Sequence, residues 1–310
     1  MSIFFYISIV VVSAALTWMV RRIALEREIL DHPNKRSSHT IPTPRGGGLA
    51  IVIAFYSTLV FYGWNYLDFR LIMALLFGLP LALVGFLDDI YDLSTLFRLG
   101  VQILCSLGAL YFLEVPYLYW VFALLFVVWF INLFNFLDGI DGYLSTEVIF
   151  LSFAGYLFFN NSVWLILGAA IVGFLPFNWS RASIFMGDVG STTIGFIIGV
   201  LILYDSTTFH KLGIWLLLTL PFWFDATFTL LRRFFRGEKF MQAHRKHLFQ
   251  RAVRSGLSHM QVTLLLLSIN IFILGLVLIF HNILWIAVLL SSILMGVIVY
   301  IIEKRVSFDT

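Results

Sequence analysis

Apolar runs of membrane-spanning length recur along this chain and leave it few ways to fold. A bilayer core takes about 20 mostly apolar residues per helix. Eleven stretches approach that length: 3–20, 47–64, 70–87, 99–113, 117–134, 143–159, 163–178, 190–204, 212–230, 260–280 and 283–302. In lipid every backbone amide must bond within its own segment, so such runs fold as helices. The expectation is an all-α polytopic membrane protein with about eleven transmembrane helices, the shorter ones tilted or partly embedded. Composition agrees: 61% of the 310 residues are hydrophobic and 12% charged, whereas a soluble domain carries about a quarter charged residues. A soluble enzyme, a nucleic-acid binder and a disordered chain are excluded, and a net charge of +3 implies no polyanionic macromolecular partner. The longest polar stretches, 21–46 and 231–259, are too short to fold alone. Residues 1–310 therefore read as a single integral membrane domain.

The run Ile3 to Val20 has no basic residue before it and Arg21-Arg22 after it, the reverse of a secretory signal peptide. It reads as a retained span with the N-terminus outside, in the periplasm, which puts the C-terminus in the cytoplasm. In that frame only Arg70 and Lys211 of the 20 Lys and Arg residues fall outside, a strong positive-inside pattern. Trp64, Tyr66, Tyr117, Tyr119 and Trp120 then take the outer interface. The acids do not follow the complementary trend. Asp68, Glu114 and Asp205 lie outside and Asp225 falls within the ninth run, but most of the 17 crowd the inner face with the bases. Acids near lipid are costly and usually functional, so polar chemistry is expected at the cytoplasmic mouth. Cys105 is the single cysteine, which rules out a disulfide framework or a thiolate metal site. A metal would use oxygen or imidazole ligands, as Mg²⁺ or Mn²⁺ does.

Six constellations carry the candidate chemistry. Asp88 and Asp89 end the third run, where a helix C-terminus disfavours acids. They read either as an interfacial charge pair or as two carboxylates dividing general-base and phosphate- or metal-handling work. Asn135, Asp138 and Asp141 in Asn132-Leu-Phe-Asn-Phe-Leu-Asp-Gly-Ile-Asp-Gly142 are spaced by three, which helical geometry would put on one face. The alternative is an Asp-Gly turn. Phe134 and Phe136 read as base-stacking or as belt residues. Asp188, in Met-Gly-Asp-Val-Gly-Ser, opens the eighth run as a helix cap or beside a metal-bridged diphosphate. Arg45-Gly-Gly-Gly48 leads into the second run as a phosphate cradle or a polar hairpin. His244, Arg245 and His247 lie in a basic loop without an obvious third zinc ligand. Asp225, with Arg232 and Arg233 following, reads as a structural pair with snorkelling arginines.

The ordered set resembles a known family. Pro-Thr-Pro-Arg-Gly-Gly-Gly at 42–48, Asp-Asp at 88–89, Asn-x-x-Asn-x-x-Asp-Gly-x-Asp-Gly at 132–142, Gly-Asp-x-Gly-Ser at 187–191 and His-x-x-His at 244–247 are similar to signatures of the polyprenyl-phosphate N-acetylhexosamine-1-phosphate transferases, glycosyltransferase family 4. The resemblance implies a bacterial inner-membrane enzyme with a cytoplasmic active site. Undecaprenyl phosphate would attack a UDP-N-acetyl sugar, with Mg²⁺ (Mn²⁺ being the alternative), to give undecaprenyl-diphospho-sugar and UMP. By position, Asp88 matches the family's base or nucleophile and Asp89 its partner. Asp188 matches the metal ligand, and Asn135, Asp138 and Asp141 the residues around the nucleotide. Arg45, His244, Arg245 and His247 match substrate-binding positions. Pro44-Arg45 and the spaced histidines depart from the peptidoglycan branch and look more like branches that start O-antigen or related surface glycans. Two rivals differ in readout. A CDP-alcohol phosphotransferase would release CMP, and a transporter or flippase would release no nucleotide. The sugar, the pathway and the oligomeric state, a homodimer included, are not readable from the chain.

Overall fold

The computed structural model describes residues 2–33, 41–238 and 244–308. Each of the eleven apolar runs is helical. The helices are α1 (Ile3–Glu26), α2 (Gly48–Tyr66), α3 (Phe69–Tyr91), α4 (Thr95–Phe112), α5 (Tyr117–Leu137), α6 (Tyr143–Phe159), α7 (Ser162–Asn178), α8 (Asp188–Asp205), α9 (Phe209–Leu218), α10 (Leu220–Phe235), α11 (Leu248–Arg254), α12 (His259–Ile279) and α13 (Leu284–Arg305). A two-residue antiparallel ladder, β1 (Leu30–Asp31) on β2 (Thr43–Pro44), ties the ends of the first polar loop together. Among the described residues, eight helices are long and apolar enough to cross a membrane. The chain is a multi-pass, all-α membrane protein. α6 and α7 are apolar but shorter.

One expected straight span is broken. Residues 212–230 fall on two helices bent by 77°, α9 and α10. The break follows from the sequence: Pro221 lacks an amide hydrogen and stands at the start of α10. Thr219 instead returns its hydroxyl to Trp215 O at 2.8 Å.

α8 is the hub. Of its residues 83% are buried, against 17% for the peripheral α1. Its small residues allow close approach, as they do in membrane helix pairs generally. A Cβ at Gly195 would stand 2.6 Å from Phe130 O of α5, and one at Gly190 2.8 Å from Gly48 Cα of α2. From α3, Gly85 faces the first turn of α8, where a Cβ would stand 2.6 Å from Asp188 O. The N-terminal end of α8 is thus clasped by α2 and α3. The segments that charge assigned to one membrane face do gather at that end. Gly47 N donates to Phe185 O at 2.9 Å, and Arg21 Nε to Ser183 O at 3.2 Å.

Candidate active site

The α3–α4 turn begins the site. Asp88 is buried in the last turn of α3. Its Oδ1 accepts from Leu93 N at 2.7 Å and closes the turn, while its Oδ2 accepts from Arg98 Nη1. Arg98 sits in the first turn of α4, a helix capped by Ser94. The same Nη1 donates to Asp188 Oδ2 at 3.0 Å. One guanidinium nitrogen therefore bridges two acids that are a hundred residues apart in sequence. Asn135, in the last turn of α5, donates to Asp188 Oδ1 at 2.9 Å and to Ser191 Oγ at 3.0 Å. Asp89 turns the other way and accepts from Asp188 N at 3.0 Å and Val189 N at 3.2 Å. It caps α8, a role that Asp188 itself does not fill.

A cleft of about 680 Å³ opens over this bridge. Arg98, Asn135, Asp188, His244 and His247 line its polar part, and Leu81, Val84, Leu99, Leu125 and Val128 its apolar part. His247 is the N-cap residue of α11, with Nδ1 3.4 Å from Asp225 Oδ1. Asp225 also accepts from Leu248 N at 2.7 Å and Phe249 N at 3.2 Å, so it caps α11 and orients the histidine loop at once. Arg232 and Arg233 pair instead with Glu303 and Glu238, which corrects the expected Asp225–arginine pair. Burial pushes the His244 imidazolium down to about 3, with His247 and Arg233 adding repulsion, so His244 is neutral at physiological pH. The two histidine rings, 4.9 Å apart, lie in a non-helical segment and share no helix face.

Other expectations change. α5 stops at Leu137, so Asn135, Asp138 and Asp141 do not lie along one helix face. Asp138 is half-buried, and burial pushes its carboxyl up to about 7, with the charges of Asp89 and Asp141 adding to the effect. Asp141 stands 3.1 Å from His259 Nδ1 on α12. The glycines before α2 are no open phosphate cradle. Gly47 and Gly48 donate to Phe185 O and Met186 O at 2.9 and 2.8 Å, and a Cβ at Gly48 would strike Gly190 Cα at 2.2 Å. Nor are the first amides of α8 open to a diphosphate, because Asp89 holds them. Arg45 stands beside Asp89 with a buried Nε lacking a hydrogen bond, and Arg245 is exposed. Of the expected site residues Asn135, Asp188, His244 and His247 line the cleft, while Asp88 and Asp89, both buried, and Arg45, Asp138, Asp141 and Arg245 do not; Asp88 reaches it only through Arg98. Phe134 is core, while Phe136 lines the cleft.

Sequence patterning gives little reason to single out Arg98 or His259. The available signal was a lone arginine among the acids of 88–98 and a histidine at the start of a helix.

Asp88 and Asp188 are the carboxylates that could hold a hard divalent ion, their facing oxygens being held by Arg98 Nη1 in this structure. Among the described residues no group of three or more His, Cys, Asp or Glu side chains is placed to hold a metal ion. Mg²⁺ is commonly held by one or two carboxylates with substrate phosphates and water completing its shell, so two acids are enough.

The model of glycosyl transferase family 4 matches residues 71–206, the segment holding Asp88, Asp89, Arg98, Asn135 and Asp188. The chain is 32% identical over 281 residues to a probable undecaprenyl-phosphate N-acetylglucosaminyl 1-phosphate transferase of Bacillus subtilis, covering 82% of this chain and 78% of that one. The chain belongs to glycosyltransferase family 4. Undecaprenyl-phosphate alpha-N-acetylglucosaminyl 1-phosphate transferases of the same kind follow from Thermotoga maritima, 32% identical over 78% of this chain and 80% of the relative, and Escherichia coli K12, 29% identical over 84% and 78%. As a family 4 glycosyltransferase the chain is a membrane-embedded enzyme, which sets aside the CDP-alcohol and transporter readings.

Proposed function

We propose that this enzyme transfers an N-acetylhexosamine 1-phosphate from a UDP-N-acetyl sugar to undecaprenyl phosphate, giving undecaprenyl-diphospho-sugar and UMP. The observation that carries the reading is the Arg98 bridge from buried Asp88 to Asp188, with Arg98 and Asp188 lining a cleft that presents both polar and apolar side chains. A cytosolic nucleotide sugar and a membrane-borne lipid phosphate need such a meeting place. The printed names of the relatives favour N-acetylglucosamine as the sugar. The product would start a surface glycan such as an O-antigen. The charge pattern of the loops around the site supports a cytoplasmic face of the bacterial inner membrane.

An oxygen of the lipid phosphate attacks the sugar-linked phosphorus, and the bond from that phosphorus to UMP breaks with its electron pair leaving on UMP. Both reactants are anions, so positioning and charge neutralisation dominate. Arg98 supplies a cation at the point where phosphates meet, and Asp88 holds that guanidinium or takes a proton from the lipid phosphate. Asn135 and Asp89 fix the Asp188 carboxyl and backbone. His244, neutral, offers imidazole hydrogen bonding to the sugar diphosphate without adding charge. Asp188 with Asp88 would hold Mg²⁺, which when bound neutralises diphosphate charge. The test is a panel of labelled UDP-sugars with undecaprenyl phosphate, with and without Mg²⁺, scored for lipid-linked product and UMP. Lipid-linked product with stoichiometric UMP is expected. Substrate uptake without UMP release overturns the reading.

A further inference from the structure

Glu147 stands in the second turn of α6 with none of its surface exposed, and nothing in the reaction above uses it. It meets Asn270 of α12, equally buried, whose Nδ2 donates to Glu147 Oε2 at 2.5 Å. The other oxygens of the two residues, Glu147 Oε1 and Asn270 Oδ1, are both buried and lack a hydrogen-bond partner. No cation stands against the carboxyl among the described residues. An ionised carboxylate without a counter-charge is strongly disfavoured in an apolar interior, and an orphaned amide oxygen beside it adds a second penalty. One hydrogen removes both defects. A proton on Oε1 would donate to Asn270 Oδ1 and close a two-bond ring of carboxylic acid and primary amide.

The ring has a particular place in the fold. His259, Thr263 and Asn270 recur along one face of α12 at spacings of four and seven residues. His259 meets the Asp141 carboxylate at 3.1 Å, and Thr263 Oγ1 donates to Asp141 O at 3.2 Å. Asn270 reaches Glu147, in the helix that continues the Asp138–Asp141 loop. Tyr143, one turn before Glu147, is the other titratable side chain of this helix start and stacks on Phe222 and Phe249.

We propose that Glu147 is a neutral carboxylic acid ring-bonded to Asn270, and that this pair is a positioning device for the Asp138–Asp141 loop. The positioning half rests on the proposed transferase site and on that loop bearing on it through Asp138, which interacts electrostatically with Asp89, since the loop's acids do not line the cleft themselves. The neutral ring does not.

Glu147→Gln provides the same two bonds without a proton, whereas Glu147→Leu and Asn270→Leu each leave one partner orphaned. Infrared spectra of the purified enzyme should show a protonated-carboxyl carbonyl band across neutral pH that Glu147→Gln removes. Glu147→Gln should turn over within about twofold of wild type. Each single Leu variant should raise KM for UDP-N-acetylglucosamine about tenfold with kcat less affected, and the double Leu variant should recover most of that loss because no orphan remains. An absent band, or Glu147→Gln as impaired as Glu147→Leu, overturns the neutral ring. Single Leu variants with wild-type KM overturn the positioning role. If no UDP-sugar is a substrate, the ring is still read from melting in detergent: Gln like wild type, single Leu variants lower, the double variant between them. Equal melting of the single and double Leu variants overturns it.

Discussion

Arg98 decides the electrostatics of the site at the scale of a single residue. Its Nη1 neutralises Asp88 and Asp188 together, and without it two carboxylates face each other in a half-buried cleft. Arg98→Ala should therefore lower UMP release by about 100-fold or more, the range seen when one preorganised electrostatic partner is removed. Asp88→Asn and Asp188→Asn should likewise abolish release while leaving membrane insertion intact. Near-normal turnover of any of the three purified variants would contradict the assigned roles. Asp138 carries a separate, pH-dependent signature. An unfolded aspartate releases its proton near 3.8, while burial holds the folded Asp138 proton up to about 7. Between those values the folded chain binds a proton that the unfolded chain has lost, so stability falls as pH rises through that window. Asp138→Asn has no such proton. Its melting temperature relative to wild type should climb across that window and level off above it. A difference independent of pH would refute the buried-acid account. The acids were legible in the sequence because acids beside lipid stand out against 61% hydrophobic residues. Arg98 was not, because basic residues are ordinary on the inner side of a membrane, and only its contacts distinguish it.

Among the elements, α8 carries the site because glycines let α2 and α3 reach its first turn. A Cβ at Gly48 meets Gly190 Cα at 2.2 Å, whereas one at Gly100 in α4 meets nothing within 4 Å. Gly48→Ala should destabilise by about 2 kcal/mol through overpacking and reduce activity. Gly100→Ala, an open helical position, should be neutral or stabilising by up to about 1 kcal/mol. Equal melting temperatures for the two variants would show that glycine packing does not set α8. The glycine run before α2 was visible in the sequence but invited a phosphate-cradle reading. Which amides face a ligand and which face Phe185 and Met186 depends on a contact 138 residues away. The histidine loop also has a distant support. Phe308, buried, lies under Arg232 at 4.2 Å, Arg236 at 4.8 Å and Lys246 at 4.9 Å, and Arg251 of α11 pairs with Glu303 at 2.6 Å. Phe308→Ala removes several cation–π contacts of about 0.5–1 kcal/mol each. It should raise KM for the nucleotide sugar more than it lowers kcat. The reverse split would place Phe308 nearer the chemistry than its contacts allow.

Across the whole molecule, charge placement and site placement coincide. A membrane-impermeant maleimide should label Tyr117→Cys in intact cells and Arg245→Cys only after the membrane is opened. Both positions are exposed, and the native Cys105 is buried. Labelling of both in intact cells would overturn the topology. The sequence by itself determined the class of fold and the helical runs, because hydropathy acts locally and leaves a local record. It also carried the ordered acid and asparagine signatures of the family. Only the tertiary structure decided what those residues do to one another. Asp89 caps α8, Asp225 caps α11, Asp141 meets His259 and Arg98 bridges Asp88 to Asp188. Each of these is a contact between elements far apart in the chain, and no spacing along one segment encodes which distant side chain will fill a carboxylate's lone pairs.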